Sequence, residues 1–160
     1  MNLENLTIQV GDKEVVRDFS LVIRPKEIHA LMGPNGSGKS SLAYALAGHP
    51  EYRITTGRAT LGDTDLLALS PEKRADAGLF LSFQEPPEVG GVSMGTFLHM
   101  IASADKDTPK DFKSFLPEIG LQDNFLQRFL NDGFSGGEKK KSELLQMMAR
   151  RPTIAICDEI

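Results

Sequence analysis

The sequence has one cysteine, no tryptophan and no long apolar run. The single thiol, Cys157, excludes an internal disulfide and favours a reducing compartment. No stretch approaches the roughly 18 consecutive apolar residues that a membrane-spanning helix needs. The first residues, MNLENLTIQV, lack the basic segment and apolar core of a secretory signal. Together these absences predict a cytoplasmic protein that is not inserted into a membrane.

Positive charge is scarce as well. The 160 residues carry 18 lysines and arginines against 22 aspartates and glutamates, which gives a net charge of −4. A chain without a basic surplus has no general attraction for nucleic acid, so no nucleic-acid partner is predicted. Hydrophobic residues make up 40% of the chain and charged residues 25%, which is typical of a soluble globular protein.

Strand patterns dominate the first part of the chain. LTIQV alternates apolar and polar residues, GDKE predicts a turn, and EVVRDFSLVI carries β-branched residues onward. IHALM is a compact apolar run typical of a buried strand. GPNGSGKS follows it directly, and SLAYALAGH has helical spacing with Gly48 as its stop. Strand, glycine-rich loop and helix in this order are typical of phosphate-binding α/β domains.

The later segments predict a sheet interrupted by helices. GLFLSF and PTIAIC are short apolar runs typical of strands, whereas the paired prolines and glycines of QEPPEVGGVS exclude regular structure. Apolar residues then recur at helical intervals. The sequence therefore predicts an α/β core from residues 1–83 and 149–160, with a helical subdomain inserted at residues 84–148.

GPNGSGKS fits the phosphate-loop pattern G-x-x-x-x-G-K-[ST]. Its glycines let the backbone close around phosphate oxygens, and the positive end of the next helix adds to the attraction. Lys39 is predicted to reach the β- and γ-phosphates of ATP, and the Ser40 hydroxyl to bind Mg²⁺. A glycine-rich turn can match by chance, but the flanking strand and helix favour a nucleotide site. The predicted ATP contacts are Gly33, Pro34, Asn35, Gly36, Ser37, Gly38, Lys39, Ser40 and Ser41.

Two adjacent carboxylates follow the last apolar run, in TIAICDEI. Because phosphate-loop NTPases hold Mg²⁺ with such a carboxylate, Asp158 is predicted to be a metal ligand opposite Ser40. Glu159 is predicted to be catalytic, orienting or deprotonating the attacking water. Gln84 comes directly after a strand, where its amide is predicted to contact both Mg²⁺ and that water. In isolation all three would be ordinary surface residues, so the hypothesis depends on the phosphate loop.

FSGGEKKKSELLQM predicts a helix that starts with Ser135, Gly136, Gly137 and Glu138. A helix start suits an anion, although the same residues would also make an ordinary cap. Together, GPNGSGKS, Gln84, SGGE and TIAICDE resemble the ABC-type ATPases over the whole chain. The resemblance implies an α/β phosphate-loop NTPase core with antiparallel N-terminal strands. It also implies an ATP-dependent head-to-tail dimer, in which the SGGE residues contact the ATP of a second copy.

A narrower resemblance comes from GHPEY, LSFQEPPEVGGVS and GFSGGEKKKSELLQM. These segments are similar to the ATPase branch that serves the SUF system of iron–sulfur cluster assembly. The similarity implies an ATP-hydrolysing subunit with SufB and SufD as scaffold partners, and partner contact that begins at QEPPEVGGVS. Two other functions stay open: the nucleotide-binding subunit of a membrane ABC transporter, and a module that binds nucleotide without turnover.

The sequence also departs from the family pattern. No aromatic residue is available before the first turn to stack on adenine, so only Val10 or Val16 could contact the base. The family continues beyond the DE pair with further strands and a histidine that contacts the γ-phosphate. We therefore expect the chain to be a fragment that lacks the last part of the core and is impaired in turnover.

Overall fold

The computed structural model describes residues 1–83, 85–102 and 111–158. The chain divides into two compact units, Met1–Leu81 and Ser82–Ile160. Among the described residues, no helix is both long enough and apolar enough to cross a membrane.

The first unit is built on an antiparallel sheet. Its elements are β1 (Asn2–Val10), β2 (Lys13–Val22), α1 (Lys39–Ala47), β3 (Tyr52–Leu61), β4 (Thr64–Asp65), α2 (Pro71–Asp76) and β5 (Leu79–Ser82), whose last residue begins the second unit. The strand order is β2-β1-β3-β4, and all neighbours run antiparallel. Leu3, Leu6 and Ile8 of β1 are at most 1% exposed, as is Leu46 of α1. These side chains form the core beneath the phosphate loop's helix.

Two predicted elements of this unit are confirmed. The alternating segments on either side of GDKE form the β1–β2 hairpin, with Val10 opposite Lys13. The helical spacing of SLAYALA forms α1, which ends at Ala47. Gly48 follows with a φ of +88°, a left-handed conformation that ends a helix at little cost only for glycine.

The prediction of a buried strand at IHALM is wrong. Residues 28–32 form no strand, and the side chains of Ile28 and Met32 are 100% and 87% exposed. A strand is stabilised by hydrogen bonds to a neighbouring strand, and no strand in the described part of the chain pairs with this segment. The sequence patterns also missed β3, which pairs along β1 although its middle, TTGR, is polar and exposed.

The second unit has a helical core with a small strand pair. Its elements are β6 (Val89–Ser93), α3 (Met94–Ala102), β7 (Phe129–Leu130), α4 (Gly136–Arg150) and β8 (Ile154–Cys157), with 3₁₀ turns at Phe112–Phe115 and Asp123–Gln127. The buried residues of α3 and α4 pack with five phenylalanine and leucine side chains between them: Phe112, Leu116, Phe125, Leu130 and Phe134. The predicted helical spacing is confirmed in α3, but the prediction is wrong at Phe129–Leu130, which form β7.

The expectation that QEPPEVGGVS has no regular structure is wrong for its second half. Val89–Ser93 forms β6, which pairs antiparallel with β7 and places Val89 opposite Leu130. Pro86 and Pro87 lie outside the strand, as their missing N–H groups require. Glycines in a strand weaken it, so the pairing with β7 is what orders this segment.

Arg74 of α2 stabilises the end of α1. It is only 9% exposed, and its Nη1 donates hydrogen bonds to the carbonyl oxygens of Ala45 at 2.9 Å and Leu46 at 2.8 Å. Its Nε donates to the carbonyl of Leu69 at 3.1 Å. A cation at this position also complements the negative end of the helix dipole.

We expect Arg74→Met to lower the free energy of unfolding by roughly 2–4 kcal/mol, because the carbonyl oxygens of Ala45, Leu46 and Leu69 each lose a hydrogen bond, two of them buried. Urea unfolding followed by circular dichroism measures the change. Arg58→Met, at an exposed position of β3, is the matched control and should change stability by less than about 0.5 kcal/mol. Equal stability of the two variants would contradict the capping role of Arg74.

Candidate functional site

The backbone of the phosphate loop requires glycine at its last turn. Gly38 precedes α1 with a φ of +93°. A Cβ atom there would lie 2.7 Å from the carbonyl oxygen of Val15 and 2.7 Å from Val16 Cγ2. Both the left-handed conformation and the lack of space exclude a side chain. The loop therefore presses its backbone against β2, which fixes the position of the helix start.

The start of α1 is prepared for an anion. Its first turn holds no acidic residue, and no side chain caps the backbone N–H groups there. Uncapped N–H groups and the positive end of the helix dipole together attract phosphate. Lys39 and Ser40 are the first two residues of this helix, so their side chains lie at the same end.

Lys39 is already directed at the loop. Its Nζ donates hydrogen bonds to the carbonyl oxygens of Gly33 and Pro34, both at 2.9 Å. A lysine in this position places one positive charge across the loop, where phosphate oxygens could replace the two carbonyls as acceptors. The sequence-predicted residues from Gly33 to Ser41 are thus brought together in one loop and one helix turn, and they fit a polyphosphate.

The start of α4 differs from the start of α1. Ser135 is its N-cap, and Ser135 Oγ accepts a hydrogen bond from the backbone N–H of Glu138 at 3.3 Å. Glu138 Oε2 in turn accepts from the backbone N–H of Ser135 at 2.8 Å. This reciprocal capping box satisfies two N–H groups at the start of α4, whereas no side chain caps the start of α1. The role of Glu138 toward nucleotide stays a prediction, and one of its carboxylate oxygens is engaged at its own helix start.

Gly136 and Gly137 are exposed in the first turn of α4. Neither has a positive φ, and a Cβ atom at either would meet no described atom within 4 Å apart from its chain neighbours and the backbone of its own helix. Glycine in a helix costs up to about 1 kcal/mol relative to alanine, so folding of the described chain gives no reason for either residue. Their small size fits close approach by another molecule.

Arg128 holds this helix start, although no sequence pattern singled it out. Its guanidinium forms an ion pair with Glu138, donates to the carbonyl of Gly133 at 3.1 Å, and lies 4.3 Å from the ring centre of Phe134. The hydrogen bond from the Ser135 backbone, assisted by Arg128, lowers the pKa of Glu138 to about 2. The carboxylate is therefore charged near neutral pH. The only signal for Arg128 in the sequence is Glu138 itself, an acidic residue that favours a basic partner.

The other predicted site residues belong to the second unit or lie outside the described residues. Asp158 directly follows β8 in the second unit, whereas the phosphate loop belongs to the first. Gln84 and Glu159 lie outside the described residues. Among the described residues, no three His, Cys, Asp or Glu side chains cluster closely enough to hold a metal ion.

A cavity of about 580 Å³ lies in the second unit beside the start of α4. It combines apolar and charged side chains. The lining residues are Ser82, Phe83, Glu85, Pro86, Pro87, Phe134, Gly136, Lys139, Lys140 and Glu143.

Comparison with known proteins gives consistent matches. The model of the ABC transporter family matches residues 16–160. Two relatives described as "Probable ATP-dependent transporter" are ycf16 of Antithamnion sp. and SufC of Escherichia coli (strain K12). They are 42% and 41% identical to this chain, and each match covers 99% of the chain and 68% of the relative. The chain thus spans about two thirds of the length of the curated relatives it matches.

The fold is also found among solved structures. An ATP-binding cassette, solved as a dimer in a post-hydrolysis state with ADP and Pi, superposes with a TM-score of 0.78 at 18% sequence identity. That match covers 98% of this chain and 72% of the cassette. At this identity the likeness shows the fold: an α/β cassette with antiparallel strands at its N-terminus.

Proposed function

The chain belongs to the ABC transporter family, and from this membership we propose that it is an ATP-binding and ATP-hydrolysing subunit. In this proposal, ATP binding and hydrolysis by the chain drive conformational change of a SufB/SufD scaffold during iron–sulfur cluster assembly. The observation that carries the proposal is the phosphate loop, with Gly38 pressed against β2, Lys39 across the loop and an uncapped helix start. This arrangement favours a polyphosphate over a single carboxylate, because it extends along the whole loop.

The loop and two further residues supply the metal ligands in this proposal. Ser40 at the start of α1, Gln84 and Asp158 would hold Mg²⁺ together with the phosphates of ATP. When bound, Mg²⁺ neutralises charge that develops on the phosphates. Hard oxygen ligands and few protein contacts are typical of magnesium sites of this kind, which use the phosphates as ligands. Glu159 would take a proton from the attacking water.

A second copy of the molecule completes the site. The exposed glycines Gly136 and Gly137 leave the start of α4 open to close approach, and the similar solved cassette is a dimer. We place the SGGE segment of one copy over the ATP held by the other copy. ATP then stabilises the closed dimer by mass action, and hydrolysis releases it, which moves any attached subunits.

Partner contact is placed at the cavity beside QEPPEVGGVS. Pro86 and Pro87 reduce the number of conformations that this wall can adopt, and Lys139 and Lys140 add charged groups to the lining. The SUF role itself rests on the 41% identity to SufC. Both relatives are described as probable ATP-dependent transporters, which favours the alternative, the nucleotide-binding subunit of a membrane transporter.

Co-purification separates these two functions. We expect tagged protein to bring down SufB and SufD from the soluble fraction of its own cells, identified by mass spectrometry. Lys140→Glu, in the cavity, should reduce their recovery several-fold, whereas Lys113→Glu, exposed elsewhere in the same unit, should not. Recovery of a membrane permease without SufB or SufD would replace the SUF role by the transporter role.

A further inference from the structure

Glu143 is a buried carboxylate of α4 that the proposed chemistry does not use. Glu143 is only 6% exposed. One carboxylate oxygen accepts a hydrogen bond from the hydroxyl of Ser82, and the other accepts from the backbone N–H of Phe83 at 2.9 Å. Burial raises the pKa of Glu143, while the two hydrogen bonds oppose that rise.

Stability gives no sufficient reason for this carboxylate. No lysine or arginine forms an ion pair with Glu143 in the described part of the chain. A buried carboxylate carries a large desolvation cost, and a hydrocarbon side chain of similar volume is often as stable or more stable. Instead, Glu143 holds a segment of main chain in place, because it accepts a hydrogen bond from a backbone N–H 60 residues earlier in the sequence.

The fixed stretch is the approach to Gln84. Ser82 is the last residue of β5, and Phe83 is the residue directly before Gln84. A hydrogen bond to a backbone N–H restrains the main chain itself, whereas a bond to a side chain leaves the backbone freer. Glu143 therefore restrains the backbone from which Gln84 extends.

The other side of Gln84 is bonded to the same region. Asn131, just before α4, donates from Nδ2 to the carbonyl of Pro87 at 2.9 Å. Lys139 of α4 forms an ion pair with Glu88 at 2.8 Å. Segments on both sides of Gln84 are thus connected to α4 or to the residues that lead into it.

α4 is a firm support for these bonds. Ser142 and Leu145, on either side of Glu143, are 0% exposed and lie in the core of the unit. The same helix has Ser135 as its N-cap, eight residues before Glu143 and so about 12 Å along the axis. One rigid element therefore carries both the SGGE segment and the group that holds Phe83.

We propose that Glu143 is a positioning residue that connects the helix beginning at SGGE to the backbone before Gln84. Through this connection, contact of a second copy with the SGGE segment is transmitted to the main chain at Ser82 and Phe83. The inference rests on the proposed function, because Gln84 has a task only where ATP is turned over.

Kinetics of matched variants test the connection. Glu143→Leu removes both hydrogen bonds, Glu143→Gln keeps one acceptor oxygen, and Ser82→Ala keeps the bond to Phe83. We expect kcat for Mg–ATP to fall about tenfold or more in Glu143→Leu and about two- to fivefold in the other two. KM and the directly measured Kd for ATP should stay within about threefold, since the phosphate loop is unchanged. Glu118→Gln, at an exposed position, is the control and should behave as the unaltered protein.

Several outcomes would overturn the proposal. A folded Glu143→Leu protein with unaltered kcat would do so, as would parallel loss of ATP binding and kcat. If Glu143→Leu does not fold, Glu143→Gln and Ser82→Ala decide, and unaltered kcat in both rejects the role. Loss of thermal stability without any change in kcat would leave Glu143 a structural residue only.

Amide hydrogen exchange separates this inference from the proposed function. ATP should slow exchange both at residues 79–83 and at the start of α4 in the unaltered protein, and Glu143→Leu should break that joint response. If the unaltered protein binds ATP without turnover, hydrolysis is refuted while the joint response still tests Glu143. If ATP causes no response and no binding, both proposals fall.

Discussion

Changing Lys39 to alanine is expected to weaken ATP binding by at least about 100-fold. Lys39 Nζ now donates to two loop carbonyls at 2.9 Å, and phosphate oxygens are stronger acceptors in the same place. Each charge-assisted bond contributes on the order of 1.5–3 kcal/mol, and about 1.4 kcal/mol corresponds to a factor of ten in Kd. Lys39 gives up two bonds to loop carbonyls when it forms two bonds to phosphate. The net contribution to binding is therefore smaller than the sum of the two new bonds, and it corresponds to a change in Kd of this size.

Isothermal titration with Mg–ATP measures the change. Lys73→Ala is the matched control, because Lys73 is an exposed lysine of α2 in the same unit. It should leave Kd within about twofold, since it removes one distant positive charge that salt screens. Undiminished affinity in a folded Lys39→Ala protein would refute the phosphate-loop assignment and, with it, the proposed ATPase function.

The phosphate loop could be predicted from the sequence because its determinants are local. Gly38, Lys39 and Ser40 are consecutive, and the helix that follows ends at another local signal, Gly48. Glycine at a left-handed φ and helical spacing each leave a mark within a few residues. The structure adds what no spacing contains, namely that a Cβ at Gly38 would collide with Val15 and Val16.

Strands were harder to predict from the sequence, because a segment forms a strand only where a neighbouring strand pairs with it. IHALM has the composition of a buried strand, yet Ile28 is fully exposed and no described strand pairs with it. β3 has a polar middle and was missed, yet it forms because β1 offers a complete edge for pairing. Val89–Ser93 became a strand in the same way, through β7. Pairing partners lie up to tens of residues away, which a local pattern does not record.

The interactions of charged residues that are distant in the sequence could not be predicted for the same reason. SGGE was predicted as a helix start, and the capping box of Ser135 and Glu138 follows from local spacing. The counter-charge from Arg128, and the reach of Glu143 to Phe83, depend on how the unit folds. In the sequence, neither Arg128, which directly precedes β7, nor Glu143, in a charged helix, can be told from a residue of an ordinary solvated surface.

Changing Glu159 to glutamine is expected to lower ATP hydrolysis by about 10²- to 10⁴-fold while leaving ATP binding intact. The amide keeps the size of the side chain but cannot take a proton from water. The phosphate loop, which supplies the affinity in our proposal, is untouched. Because bound ATP would no longer be consumed, the variant should accumulate as the closed dimer in Mg–ATP.

Steady-state hydrolysis and light scattering together measure this pair of effects. Glu51→Gln, an exposed glutamate of the first unit, removes the same charge and should neither slow hydrolysis nor stabilise a dimer. Normal turnover in Glu159→Gln would show that another group is the base. Slow turnover without dimer formation would instead separate hydrolysis from closure, because the ATP-bound protein would then persist as a single copy and the SGGE segment would have no ATP to cover.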